Sequence, residues 1–165
     1  MFAPGVTTPQ PTHDLLDTGD IAEMVQRFYR DVAQDDLLGP MFNEVARVDW
    51  SEHLLKLTAF WCRALFGTQG YAGNPFRAHQ LIHTQRAFTV AHFERWLDLF
   101  DETVEMGWVG ANAEKVKTLA ANVARVHCQQ LVISPAISDN DAKVKFPKGF
   151  TTLKSYLRLT PQPNK

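Results

Sequence analysis

The side chain best suited to chemistry in this chain is His79. It sits in the run Asn74-Pro75-Phe76-Arg77-Ala78-His79, after a glycine-rich approach and with no carboxylate nearby in sequence. A neutral imidazole among apolar neighbours is a good transition-metal ligand. The same setting also suits an ordinary half-buried helix histidine bonded to a carbonyl. His79 and His83 stand four apart, a spacing that brings two imidazoles together if one helix carries both. Such a pair needs a further ligand, and the nearest carboxylate in sequence is Glu94. His53 begins an apolar helical face, where a capping or surface role is usual. His83, His92 and His127 show no partner pattern. Cys62 and Cys128 are single thiols on apolar helices and read as core residues. Glycine fingerprints for nucleotides, phosphate loops, HExxH and GxSxG are all absent.

A second feature is electrostatic. From His53 to Phe93 there is no Asp or Glu, while the stretch holds Lys56, Arg63, Arg77, Arg86 and the four histidines 53, 79, 83 and 92. A cationic segment without internal neutralisation favours an anionic ligand. The plainer explanation is a chance fluctuation in composition.

Helices must position these residues. Ile21, Val25, Phe28 and Val32 recur at helical spacing, with Tyr29 beside them. Asp49-Trp50-Ser51-Glu52 has the form of a capping box, and the helix it opens carries His53, Leu57, Phe60, Trp61 and Ala64 on one face. Glycines 67, 70 and 73 end it. Pro75 suits the first turn of a short helix bearing Phe76, His79 and Ile82, with a loop predicted over 83–88. Thr89 then caps a helix carrying Phe93, Trp96, Leu97, Phe100 and Val104. Asn112 is the predicted cap of a last long helix, from about Ala113 to Val132. No extended strand-like alternation appears, so the fold class is all-α, with about five helices in a small globular array.

The 165 residues suit one domain of ordinary soluble composition, 45% hydrophobic and 21% charged. A net charge of −1 argues against a life on nucleic acid, and no apolar run is long enough to span a membrane. No secretory signal is visible at Met1-Phe2-Ala3-Pro4, so a cytoplasmic location is expected. The division expected is a flexible arm over 1–19, a helical domain over 20–133 and a tail over 134–165. The tail has four prolines and six Lys or Arg against two Asp.

Several segments, taken in order, carry a family resemblance. They are Met24-Val25-Gln26-Arg27-Phe28-Tyr29-Arg30-Asp31-Val32, Asp36-Leu37-Leu38-Gly39-Pro40-Met41-Phe42-Asn43, Phe60-Trp61, Gly70 through His79, and His92-Phe93-Glu94-Arg95-Trp96-Leu97-Asp98-Leu99-Phe100. Together these resemble a truncated haemoglobin, most like the third bacterial group, over roughly 20–131. The resemblance implies a truncated globin fold, a shortened helical sandwich around haem b (iron protoporphyrin IX). His79 falls on the proximal iron ligand. Tyr29, His53 and Trp96 fall on the distal polar positions. Phe42, Leu57, Phe60, Trp61, Phe76 and Phe93 fall around the porphyrin. Arg77 and Arg86, with Lys56 behind them, are the candidates for the two haem carboxylates. The segment from His79 to Trp96 is longer than the group's usual pattern, and the tail has no counterpart in the family core.

The implied function is binding of dioxygen and other diatomics such as NO and CO. Two donors, Tyr29 and Trp96, are expected to slow release. A carbonyl is the expected partner of the second His79 nitrogen, which favours binding over peroxide cleavage. The alternative is a haem enzyme that detoxifies nitric oxide or reduces nitrite or peroxide with an external reductase. A helical interaction module without haem is the third class.

Overall fold

The structure, a computed structural model, describes residues 9–133. The expected tail over 134–165 and the first eight residues of the expected arm lie outside the described residues. The helices are α1 (Thr18–Gln34), α2 (Trp50–Phe66), α3 (Pro75–Gln85), α4 (Val90–Gly107) and α5 (Ala111–Cys128). Single π-helical segments follow α1, at Met41–Val45, and α5, at Gln129–Ile133. Among the described residues there is no strand.

Capping largely follows the sequence. Asp49 accepts the Ser51 and Glu52 backbone N–H groups at the start of α2. Gly67 ends that helix in the left-handed region, at φ 71°, where a side chain would be strained. Asn74 caps α3 and Pro75 occupies its first turn. Two local expectations are corrected. The predicted loop over 83–88 begins later, because α3 continues through His83, whose Nδ1 accepts the Phe88 N–H at 2.9 Å. Asn112 does not cap α5. That role passes to Asp14, ninety-eight positions away, which accepts the N–H of Asn112 and of Ala113, each at 2.8 Å.

The same contact corrects the expected arm. From His13 the chain is docked on the connection between α4 and α5: Val109 N–H donates to the His13 carbonyl, and Asn112 Nδ2 donates to the Leu15 carbonyl at 2.7 Å. Leu15 is fully buried. Unpaired N–H groups at a helix start attract an acceptor, and burial of Leu15 adds the hydrophobic term. Helix periodicity carries no signal for so distant a partner.

α1 packs on α2 and α4, α5 packs on α4 and α2, and α3 touches the Met41–Val45 turn. The core is threaded by aromatic rings. Trp61 and Phe28 each lie about 5 Å from Phe100, at 5.0 and 5.1 Å between ring centroids. Phe28 touches Tyr29 at 4.6 Å and Trp96 at 5.3 Å, while Trp96 stacks on Phe100 at 5.4 Å. Arg95, next to Trp96, donates to Asp35 at 2.7 Å and ties α4 to the end of α1. Burial alone would raise the Asp35 carboxyl, but the Leu38, Arg95 and Leu37 donors outweigh it and hold it below the ordinary value. Tyr29 and Trp96 are therefore placed by the core itself.

Candidate functional site

His79 projects from the second turn of α3. Its Nδ1 lies 2.6 Å from the Pro75 carbonyl, one turn back. A carbonyl only accepts, so the proton resides on Nδ1 and Nε2 carries the lone pair. Burial pushes the imidazole down to about 4, against the pull of the Pro75 carbonyl. A positive charge on His127 or His53 would push it in the same direction. His79 is thus neutral near pH 7 with a ligating nitrogen free.

A second cluster gathers around Tyr29, which is buried at 5% exposure. Burial raises its hydroxyl far above the ordinary value, partly offset by a hydrogen bond with Trp96, whose indole can only donate. The ring of His53 stands 5.9 Å from Tyr29, 6.2 Å from Phe42 and 5.8 Å from Trp50. Burial, then the nearby Lys56 charge, hold His53 below its usual value. Tyr29 thus joins the Trp96 indole, by a hydrogen bond, to the ring cluster of His53, Phe42 and Trp50.

A cavity of about 590 Å³ opens beside α2, lined by Phe60, Arg63, Ala64, Tyr71, Ala72 and Gly73. That volume is typical of small-molecule sites. Phe60 and Ala64 belong to the apolar face that starts at His53. Tyr71 folds onto it, its ring 5.3 Å from Phe60, and Arg63 donates to the Tyr71 carbonyl at 2.9 Å. A Cβ at Gly73 would overlap the Tyr71 hydroxyl and ring, so a side chain there would have to displace Tyr71.

Most of the expected site residues gather on these surfaces, with differences. Leu57 is half-buried on the same face as Phe60. Trp61, at 1% exposure, packs against Phe60 and Phe100 rather than on this open cavity. At roughly 100° per residue it stands about 80° round α2 from His53, which turns it towards α4. Phe76 rests on His127, and Phe93 is buried against Phe88. The acid-free stretch of sequence is not acid-free in space. Lys56 pairs with Glu52 at 2.8 Å and Arg86 with Glu44 at 3.2 Å. Arg77 is exposed. His83 serves the α3–α4 turn, and no cluster of three or more metal-binding side chains occurs among the described residues.

Five residues of these surfaces went unassigned in the sequence. Trp50 stacks on Phe42, Phe88 lies 5.9 Å from His79, and Arg63 and Tyr71 line the cavity. His127 packs directly on His79. Trp50, three positions before His53 on one helix, was findable from spacing; the others are set by tertiary contact.

The profile of the bacterial-like globin family matches residues 16–130. The chain is a bacterial-like globin. It is 32% identical over 96 residues to a group 3 truncated haemoglobin of Campylobacter jejuni, covering 56% of this chain and 73% of that protein. The crystal structure of a group III truncated haemoglobin from Campylobacter jejuni superposes with a TM-score of 0.65 at 28% identity, covering 74% of this globin and 96% of that chain. Truncated haemoglobin family and fold thus agree with the resemblance seen in sequence. Over 34 residues this globin is also 65% identical to a 1-Cys peroxiredoxin of Dictyostelium discoideum, covering 21% of this globin and 14% of that protein. No helix among the described residues is long and apolar enough to cross a membrane.

The donors present fit the haem that the family implies. One neutral imidazole offers a free Nε2, an apolar α2 face adjoins an open cavity, and the cationic Arg63 lines that cavity.

Proposed function

We propose that this globin holds haem b through His79 Nε2 and binds dioxygen and other diatomics beneath Tyr29, Trp96 and His53. Haem, held by His79, would supply an iron centre able to bind a diatomic gas. The observation that carries the reading is the half-buried, neutral imidazole of His79, its other nitrogen on a carbonyl, on a fold that also gathers Tyr29, Trp96 and His53. Phe42, Leu57, Phe60, Phe76 and Phe93 supply apolar contact to the porphyrin. The cavity beside α2 is the haem's open edge in this reading. Arg63 and Tyr71, which line it, join Arg77 as groups for the haem carboxylates, while Lys56 and Arg86 act from exposed pairs that are individually weak.

Tyr29 and Trp96 donate inside a site sheltered from water, where a hydrogen bond is worth more than in solution. The partner of His79 Nδ1 is a carbonyl, not a carboxylate, which supports ligand binding over peroxide cleavage. Slow release would also suit turnover, such as nitric oxide detoxification fed by an external reductase in the cytoplasm.

We also propose that the globin domain ends near residue 133 and that the peroxiredoxin-like stretch takes in the tail with the few residues before it. Fifteen residues precede the part matched by the globin profile and 35 follow it, so outside that part only residues 131–165 can hold 34. The tail contains no cysteine, so it brings no thiol chemistry of its own.

The test is an absorption spectrum of the protein expressed with ample haem, with His79→Ala beside it. A Soret band that changes form or vanishes in the variant is expected. No Soret band in the wild type overturns the reading.

A further inference from the structure

His127 is the buried titratable group that this reading leaves unused. It lies near the end of α5 at 7% exposure. Its Nδ1 stands 2.8 Å from the Val123 carbonyl, so the proton resides there and Nε2 carries the lone pair. That Nε2 is buried without a hydrogen-bond partner among the described residues. An imidazole that leaves a buried acceptor unpaired costs stability relative to an apolar ring, so the ring that α5 presents here is held at some expense to the fold.

Its neighbours are informative. The His127 ring lies 4.8 Å from the His79 ring, inclined at 60°, and 5.9 Å from the Phe76 ring. α3, which carries both of those residues, has no buried residue of its own. Two site residues of a lightly held helix thus rest on one side chain of a well-packed helix. The bond from His79 Nδ1 to Pro75 restrains a single atom of the ring. The plane of the imidazole is left to the groups on its flanks, which are Phe88 at 5.9 Å and the closer His127. His127 is itself oriented by Val123, so the surface it offers is fixed.

We propose that His127 is a positioning residue for the proximal imidazole. It sets the plane of the His79 ring, and so the geometry of the bond that ring makes to iron, from the α5 side. The proposal rests on His79 being the haem ligand. It predicts that His127 influences the axial bond without touching the gas-binding face.

The experiment compares His127→Ala and His127→Phe in the haem-loaded ferrous protein, reading the iron–imidazole stretching band by resonance Raman and haem transfer to a scavenger. Loss of the ring in His127→Ala is expected to shift or broaden the band and speed haem loss several-fold. His127→Phe keeps a ring in place and is expected to return both readouts most of the way to wild type. A band in His127→Ala identical to wild type overturns the proposal. So does a Phe variant as perturbed as the Ala variant. If His127→Ala does not fold, His127→Asn, which keeps a polar donor but no ring, takes its place with the same two outcomes. A wild-type protein with no iron–imidazole band, or one whose band persists in His79→Ala, refutes the assignment of His79 instead.

Discussion

Replacing Tyr29 by phenylalanine removes one hydroxyl from a residue that is 5% exposed and leaves its ring contacts with Phe28, Phe42 and His53 in place. A neutral hydrogen bond is worth about 1–1.5 kcal/mol. At about 1.4 kcal/mol per factor of ten, losing it speeds dissociation of dioxygen roughly five- to twelvefold. The structure modifies that figure. Trp96 donates to the Tyr29 hydroxyl, so removing the hydroxyl frees the indole N–H for the ligand. The indole is stacked on Phe100 at 5.4 Å and meets Phe28 edge-on at 5.3 Å, so its turn is restricted and the recovery is partial. The single variant should fall at or below the lower end of the range. The double variant Tyr29→Phe with Trp96→Phe leaves the ligand no donor from this pair and should show the full five- to twelvefold effect of about 1–1.5 kcal/mol. It should exceed the product of the two single effects, because Trp96 no longer compensates. Stopped-flow displacement of dioxygen by carbon monoxide measures all four proteins, and carbon monoxide dissociation, less sensitive to polar donors, is the control. An off-rate for Tyr29→Phe within about twofold of wild type refutes the role of the hydroxyl. Single effects that simply multiply refute the coupling.

Asp14→Ala strips two acceptor contacts from the start of α5 and should cost about 1–2 kcal/mol in urea unfolding. Burial would raise the Asp14 carboxyl, but the Asn112, Ala113 and Leu15 N–H groups hold it below 3.8 when folded. Its contribution is therefore present above the unfolded value and lost as pH falls through the lower folded one; a gap from Asp14→Ala that stays constant into that acid range contradicts the cap. Arg63→Ala should speed haem loss roughly two- to fivefold, the scale of one exposed ion pair, and more than Arg86→Ala does; the reverse order moves the carboxylate contact to Arg86. Gly73→Ala should push the Tyr71 ring outward and lower its hydroxyl, now raised by burial, towards the ordinary value; an unchanged NMR titration of Tyr71 removes the steric argument. Removing residues 134–165 should leave the Soret spectrum intact, and loss of haem binding on truncation would contradict the proposed domain division.

The helices, their caps at Asp49 and Thr89, Pro75 in the first turn of α3 and the all-α class were legible because they arise from interactions a few residues apart. Helical periodicity and short-range capping leave direct marks on spacing, and the family segments then indicated the truncated globin fold and the positions of His79, Tyr29, His53 and Trp96. What sequence left open depends on partners far along the chain. Asp14 reaches α5, Glu44 reaches Arg86, and His127 reaches His79, each across 40 residues or more. Trp61 shows the limit from the other side, since spacing placed it near the His53 face of α2 and only the fold shows it packed on Phe60 and Phe100. Local spacing determines which element a residue joins and roughly which way it points. Only tertiary packing decides which buried charge is neutralised, which helix end finds a distant cap and which ring comes to rest on the proximal histidine, because those are contacts between segments that share no periodicity.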